Sequence, residues 1–367
     1  MDPAALAAEL KRRALHLGFS ACRIAAADAY PEERAAMVAR IRSGLAAEMS
    51  WLNVDRALVA TDPTALVPGA RSVVSVAMPY ARPGHRWRGG ARGRIARYAW
   101  ADDYHGVMKA RLGELKAFLI EAAGAESCAV VVDTGRVVDR ATAVRAGVGW
   151  YGKNAMVLTP ETGSWVLLGE MITDVPLPTD EPLAKSCGHC VRCLQRCPTG
   201  ALVAPGVVDS RRCISYLTIE HRGWIPRALR PLIGMWIFGC DVCQEVCPVD
   251  AALPERMAEP LQPAVDPEPE LAPLLGMSAE DFKARYRATP IARAGWAGFL
   301  RNVCVALGNA RDGADELVTA LRHPEPLVRG HAAWALGRIG GHAPELEAAL
   351  RAEADSDVRA ELTAALQ

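Results

Sequence analysis

Cys187-Gly188-His189-Cys190-Val191-Arg192-Cys193-Leu194-Gln195-Arg196-Cys197-Pro198 runs as Cys-x2-Cys-x2-Cys-x3-Cys-Pro. Cys240-Asp241-Val242-Cys243-Gln244-Glu245-Val246-Cys247-Pro248 repeats all of it except the leading cysteine. Three closely spaced thiols with a fourth before proline is the spacing that serves a pair of 4Fe-4S clusters, the fourth thiol of each run crossing to the other cluster. Cys213 is the one remaining cysteine in this window and takes the missing place. The crossover assigns Cys187, Cys190, Cys193 and Cys247 to one cluster, and Cys197, Cys213, Cys240 and Cys243 to the other. Structural zinc also uses x2 spacings, but it does not explain a repeated triplet followed by Cys-Pro. Cys22, Cys128 and Cys304 stand alone in apolar settings and are expected to be small core residues.

On either side of this window the chain is long enough for two or three domains, with 367 residues. It is 51% hydrophobic and 23% charged, with 42 basic and 42 acidic residues, which excludes collagen-like, disordered and membrane classes. A nucleic-acid ligand then has to be met by local patches, since net charge supplies no excess of base. The longest apolar candidate, Leu232 to Phe238, is far short of a membrane span, and charges at Glu9, Lys11, Arg12 and Arg13 speak against a signal peptide. A cytoplasmic, reducing setting is expected, in which clustered cysteines serve metal or redox chemistry and not disulfides.

The helical period of Ala4 to Leu17, the short β-branched runs Arg71–Met78, Ser127–Asp133 and Trp165–Met171, and helical stretches at Tyr104–Ala123 and Asp139–Ala146 indicate an α/β or α+β domain over residues 1–180. The cysteine-dense part with a Pro- and Glu-rich connection, Leu253 to Leu275, makes a second domain over 181–277. From 278 to 367 the pairs Leu300-Arg301, Val328-Arg329 and Val358-Arg359 recur every 28 to 30 residues with Ala-Leu-Gly-type companions. That period suits stacked helical hairpins of HEAT type, or a simple helical cap.

Three segments of the first domain are unusually polar: Arg97 to His105, Val132-Asp133-Thr134-Gly135-Arg136, and Gly147 to Asn154. Asp133 ends an apolar strand. It either caps a turn or, if buried, carries a raised pKa and donates a proton. Gly147, Gly149 and Gly152 either serve local turns or let backbone approach a large cofactor. His105 suits a ligand or a hydrogen-bonded packing role.

In these residues the chain resembles the epoxyqueuosine reductases, cobalamin-dependent iron–sulfur enzymes of the last step of queuosine formation in tRNA. The resemblance rests on Arg97-Tyr98-Ala99 with Asp103-Tyr104-His105, Val132-Asp133-Thr134-Gly135, Ala146 to Trp150 with Gly152-Lys153-Asn154, Gly163-Ser164-Trp165 with Leu168-Gly169-Glu170, the eight cysteines, Cys213 to Glu220, and Gly239 to Gln244. Arg136 stands where Pro often follows Asp-Thr-Gly, and Val249-Asp250 replaces the usual Trp-Asn; neither is expected to touch a cluster ligand. The fold class so implied is α+β: an N-terminal α/β cobalamin-binding domain, a ferredoxin-like domain with two 4Fe-4S clusters, and C-terminal all-α HEAT-like repeats.

The resemblance implies Asp133 as proton donor, with a base-off cobalamin surrounded by Arg56, Arg97, Asp133, Lys153, Asn154, Val157, Leu168 and Ser215. It implies reduction of the epoxide of epoxyqueuosine at the anticodon wobble position by cob(I)alamin, fed by both clusters from a low-potential electron donor. A monomer without membrane attachment is expected. The tRNA requires basic patches, for which Arg82, Arg86, Arg88, Arg92, Arg94 and Arg97 offer one, unless that stretch is a solvated loop. Lys283, Arg285, Arg287, Arg293 and Arg301 offer another, with Arg145, His221 and Arg222 near the modified base. Two alternatives are a reductive dehalogenase, whose usual export signal is missing from the sequence, and a non-catalytic electron-transfer module docking through its helical tail.

Overall fold

The computed structural model describes residues 2–367. Asp2 caps the first helix, Pro3–His16, by accepting from the amide of Ala5, and Pro3 sits where its missing N–H costs nothing. Leu6, Ala7, Leu10 and Ala14 form its buried stripe. That stripe packs on the helix Tyr104–Ala123, which starts at an Asp103 cap and stops at left-handed Gly124, the bounds that the sequence predicts.

Both helices cover one face of a four-stranded sheet. Its order in space is Ala21–Ala26, Ser72–Pro79, Val166–Thr173, Cys128–Val131, and every neighbouring pair is antiparallel. The two inner strands are buried almost throughout, because helices cover both faces. Val74, Val76, Met78 and Met171 meet the long helix; Ala25, Ala77 and Val166 meet the short helix Asp139–Arg145 through Ala143. An antiparallel sheet flanked by helices is α+β, not a βαβ repeat. The strand Ala21–Ala26 and the helices Pro31–Arg42 and Val54–Ala60 carry no expectation from the sequence.

The cysteine-rich part has only short elements. Its strand Trp236–Phe238 runs parallel to Arg94–Ile95, and the stretch 253–271 crosses back over the first domain, with bridges Tyr80 to Met257, Arg92 to Glu270 and Ala101 to Pro263. Helices from Ala279 to Ala365 then stack as hairpins. The repeating glycines have a packing reason: a Cβ on Gly308 would strike Ala335 and Trp334, and one on Gly337 would strike Ala365. Successive repeats therefore touch backbone to backbone. Among the described residues no helix is long and apolar enough to cross a membrane.

Arg301 belongs to this packing and not to a surface patch. It is 1% exposed, and its guanidinium donates to the carbonyls of Leu217, His221 and Gly223, while Asn302 donates to those of Thr218 and Ile237. Burial lowers its pKa to about 9. The helical repeats are thus bolted to the segment that follows Cys213.

Candidate redox centre and its acid loop

Cys187, Cys190, Cys193 and Cys247 line one cavity together with Lys153 and Asn154. Cys243 lies within electrostatic reach of Cys213, Cys197 and Cys193, and Cys240 within reach of Cys243 and Cys213. Thiols of both runs therefore lie near one another, as the assignment of Cys187, Cys190, Cys193 and Cys247 to one cluster and Cys197, Cys213, Cys240 and Cys243 to the other requires. Burial pushes the thiols of Cys213, Cys240 and Cys243 up, and that of Cys247 to about 11. Backbone amides oppose this: those of Tyr216 and Ser215 face Cys213, and that of Val242 faces Cys240. Such amides stabilise the thiolate that iron requires. Among the described residues no three side chains converge closely enough to hold a single metal ion. Four thiols lining one cavity fit the four separate irons of a cubane.

Asp250 lies against Cys247, contrary to expectation, and accepts from both the amide (2.5 Å) and the hydroxyl (2.7 Å) of Ser164. Gln244 donates to Ser164 and to the Tyr80 hydroxyl. The second cysteine run is thereby tied to the end of the central sheet.

At the other edge, Asp133 follows the strand Cys128–Val131 in the left-handed region, φ 48°. For a non-glycine residue this is a strained setting and often a functional one. Tyr104 Oη donates to its Oδ2 at 2.5 Å, His105 Nε2 stands 3.6 Å from the same atom, and Asp103 holds His105 Nδ1 at 2.6 Å. Arg56 pins the loop by donating to the Gly135 carbonyl at 2.6 Å. The side chain of Asp133 is 57% exposed. Of the two readings of Asp133, the buried carboxyl with a raised pKa is not found: the His105 imidazole, then the Tyr104 hydroxyl, hold its carboxyl below the usual range against partial desolvation. His105 moves the opposite way, raised first by Asp133 and then by Asp103. Each partner therefore favours the charged form of the other.

The remaining expected site residues fall into groups. Val157 and Leu168 join one apolar cluster with Ala77 and Val166. Lys153 Nζ donates to the Gly188 carbonyl, and Asn154 is buried beside the Cys243 carbonyl. Ser215 follows Cys213. Arg97 is 8% exposed, paired with Glu255 and stacked 4.8 Å from Trp165. Gly147, Gly149 and Gly152 serve the protein's own backbone: a Cβ at each would meet Glu181, Leu158 or Asn154 respectively.

His221 sits between Glu48 and the Trp224 carbonyl, and Arg222 braces the carbonyls of Ile219, Arg293 and Ala294. Beside them the pair Arg293–Glu220 comes near Asp133, since Arg293 helps lower its pKa. Arg145 is elsewhere, bonded to the carbonyls of Asp28 and Ala29 over the Tyr30 ring. The first basic stretch is divided: Arg82, Arg86 and Arg88 are exposed, while Arg92 and Arg94 are half-buried and Arg97 is buried. Arg88 meets Asp266, Arg92 meets Glu270 and Arg94 meets Glu245, between the rings of Trp87 and Trp236. Arg88 and Arg92 fasten the 253–271 crossing, and Arg94 holds the second cysteine run. Lys283, Arg285 and Arg287 do remain exposed on one short helix.

Three family descriptions match the chain: epoxyqueuosine reductase QueG over residues 61–134, a 4Fe-4S double cluster binding domain over 186–250, and HEAT repeats over 298–367. An epoxyqueuosine reductase of Bacillus cereus is 41% identical over 84% of this chain and 83% of its own length. That of Escherichia coli is 37% identical over 92% of this chain and 90% of its own. A crystal structure of epoxyqueuosine reductase with an epoxyqueuosine-modified tRNA-Tyr stem loop superposes with a TM-score of 0.91 at 35% identity, over 99% of this chain and 98% of the other.

Proposed function

The chain belongs to the epoxyqueuosine reductase family, and from that membership we propose that its Asp133 loop, the Leu168 edge and the two cysteine sets act as one reducing centre. Its activity is the reduction of epoxyqueuosine in tRNA, an oxidoreductase step of queuosine biosynthesis. The observation that carries the assignment of roles is Asp133, held in a strained conformation by Tyr104 and His105 on the sheet that Ser164 and Asp250 tie to the cluster ligand Cys247.

Cobalamin as the second cofactor is supported by the surface near this loop. The helix Pro31–Arg42 leaves Ala35 and Ala36 exposed and Met37, Val38 and Ile41 only half-buried, and Trp51 and Tyr151 stand 45% exposed near Arg56 and Lys153. Apolar surface left open at a polar site fits a large, partly apolar ligand. Arg56, Lys153, Asn154, Val157, Leu168 and Ser215 are the residues that would hold it, with Arg97 acting from behind. When bound, reduced cobalamin supplies the electron pair for the epoxide carbon, replenished one electron at a time by the 4Fe-4S clusters.

The protein's own part is proton delivery and positioning. Opening an epoxide leaves an alkoxide, a poor leaving group until protonated, and Asp133 is the acid at that oxygen. His105 holds the proton that Asp133 passes on, Tyr104 fixes the carboxylate, and Arg56 keeps the loop from turning away. An anaerobic assay on tRNA carrying epoxyqueuosine, with iron-loaded protein and a strong reductant, tests the whole scheme. Queuosine should form only when cobalamin is added and taken up; product from cobalamin-free protein would remove the cofactor from the scheme.

For the tRNA, the exposed Lys283, Arg285 and Arg287 are the phosphate contacts we assign, close in sequence to Arg293 at the acid loop. Replacing all three by alanine is expected to flatten the slope of log affinity against log salt by about 2, taking roughly 0.7 per phosphate contact. Arg88→Ala with Arg92→Ala should instead lower the melting temperature and leave that slope alone. The reverse pattern would return the binding role to the first stretch.

A further inference from the structure

Beneath the Asp133 loop two acids meet without a cation. Glu170, on the inner strand Val166–Thr173, is fully buried, and neither of its carboxyl oxygens receives a hydrogen bond. Asp139, the first residue of the helix Asp139–Arg145, points a buried Oδ1 into the same place, also unpaired, and the two side chains interact directly. Ser75 lies across from Glu170 in the neighbouring strand, and the Tyr30 and Thr142 hydroxyls close the group, each without a partner. The other charged groups facing the pair are Asp133 from the loop and Arg140 from the helix, with Arg145 and Glu33 beyond Tyr30. Arg140 donates to the Ala155 carbonyl and Arg145 to those of Asp28 and Ala29, so neither neutralises the acids.

Ionised carboxylates are acceptors only, and two of them face to face in a dry interior repel. One proton between them converts that repulsion into a hydrogen bond. Burial, then the partner's charge, pushes Glu170 well above the usual carboxylate range, and burial raises Asp139 as well. The pair is also close to the acid loop. Val131 is the register partner of Glu170 and lies two residues before Asp133, and the Asp133 loop runs directly into Asp139.

We propose that Glu170 and Asp139 share one proton and store it for Asp133. The storage role rests on the reductase reading above; the shared proton does not. In that reaction one epoxide C–O bond breaks and its oxygen takes a proton. The second C–O bond then breaks, the oxygen takes another proton and leaves as water, and the two cluster-derived electrons end in the new C=C bond. His105 and Asp133 account for one proton. With tRNA over the exposed Asp133, the other comes most directly from the pair beneath the loop. Neither acid touches substrate, so both are positioning residues.

Infrared spectra of the resting holoprotein test the shared proton without turnover. At about pH 8, where ordinary carboxyls are fully ionised, the parent protein should keep a protonated-carboxyl C=O band, and Glu170→Gln should lose it. If that variant does not fold, Asp139→Asn should retain the band at a shifted frequency, since Glu170 stays buried but loses its partner. Turnover by Glu170→Gln should match the parent at about pH 6, where bulk protons reload Asp133, and fall about tenfold at about pH 8. No such band in the parent, an unchanged band in both variants, or an equal loss of turnover at both pH values would overturn the proposal. A parent protein that keeps the band yet never forms queuosine would strike down the reductase roles and the storage role with them, leaving only the shared proton.

Discussion

Asp133→Asn is expected to lower turnover by about 10²- to 10⁴-fold, the usual worth of a placed general acid, with iron and cobalamin content unchanged. Asparagine is the informative replacement because position 133 sits at φ 48°, a region asparagine tolerates better than most side chains. Its amide oxygen can still accept from Tyr104, so the loop keeps its shape and only the carboxyl that passes the proton on is lost. Quantifying product from a single anaerobic turnover checks the rate, and normal product formation would end the acid role. A second reading comes from His105, whose pKa is raised first by Asp133. In the variant its nuclear magnetic resonance titration should move down toward an ordinary histidine. The sign for the parent follows: a raised imidazole holds its proton below its folded pKa and loses it as pH rises through that value, so turnover should fall on the alkaline side.

The two cysteine runs are legible because each is a short loop whose spacing is set within a few residues, whereas Cys213 lies outside both. The long helix is equally plain, with Asp103 and Gly124 marking its ends. What the sequence hides is set by distant partners. Arg88, Arg92 and Arg97 resemble a nucleic-acid patch until Asp266, Glu270 and Glu255, more than 150 residues away, are brought onto them. Arg301 shares a pattern with surface arginines and is the most enclosed of them, because its carbonyl partners come from another helix and the turn after it. The helix Pro31–Arg42 shows no apolar stripe because it leaves Ala35, Ala36 and Ala39 exposed and Met37, Val38 and Ile41 only half-buried. The lowered pKa of Asp133 required knowing that His105 folds back onto it. The sequence signal for that was already present in Asp103-Tyr104-His105, three polar residues at the start of a helix whose first turn points toward the end of the strand Cys128–Val131.

Cys213 is the proposed ligand that pattern alone supplies least directly, since it lies outside both runs, and its removal makes the sharpest test of the second cluster. It stands at the start of the helix Ile214–Ile219, with the amides of Tyr216 and Ser215 turned toward its sulfur. Alanine there removes one of four thiolates and leaves those amides without an anion to serve. Cys213→Ala should therefore lose about half of the bound iron, on the count of four irons per cubane, and keep the paramagnetic signal of the cluster held by Cys187, Cys190, Cys193 and Cys247. Turnover should disappear, because the route for the electrons then lacks one of its two stations. The control is Cys304→Ala. That thiol is fully enclosed among the helical repeats, and its removal should cost some stability but no iron. A Cys213→Ala protein with the parent's full iron content would take Cys213 out of the ligand set, and the second run would then need a fourth ligand from outside the eight.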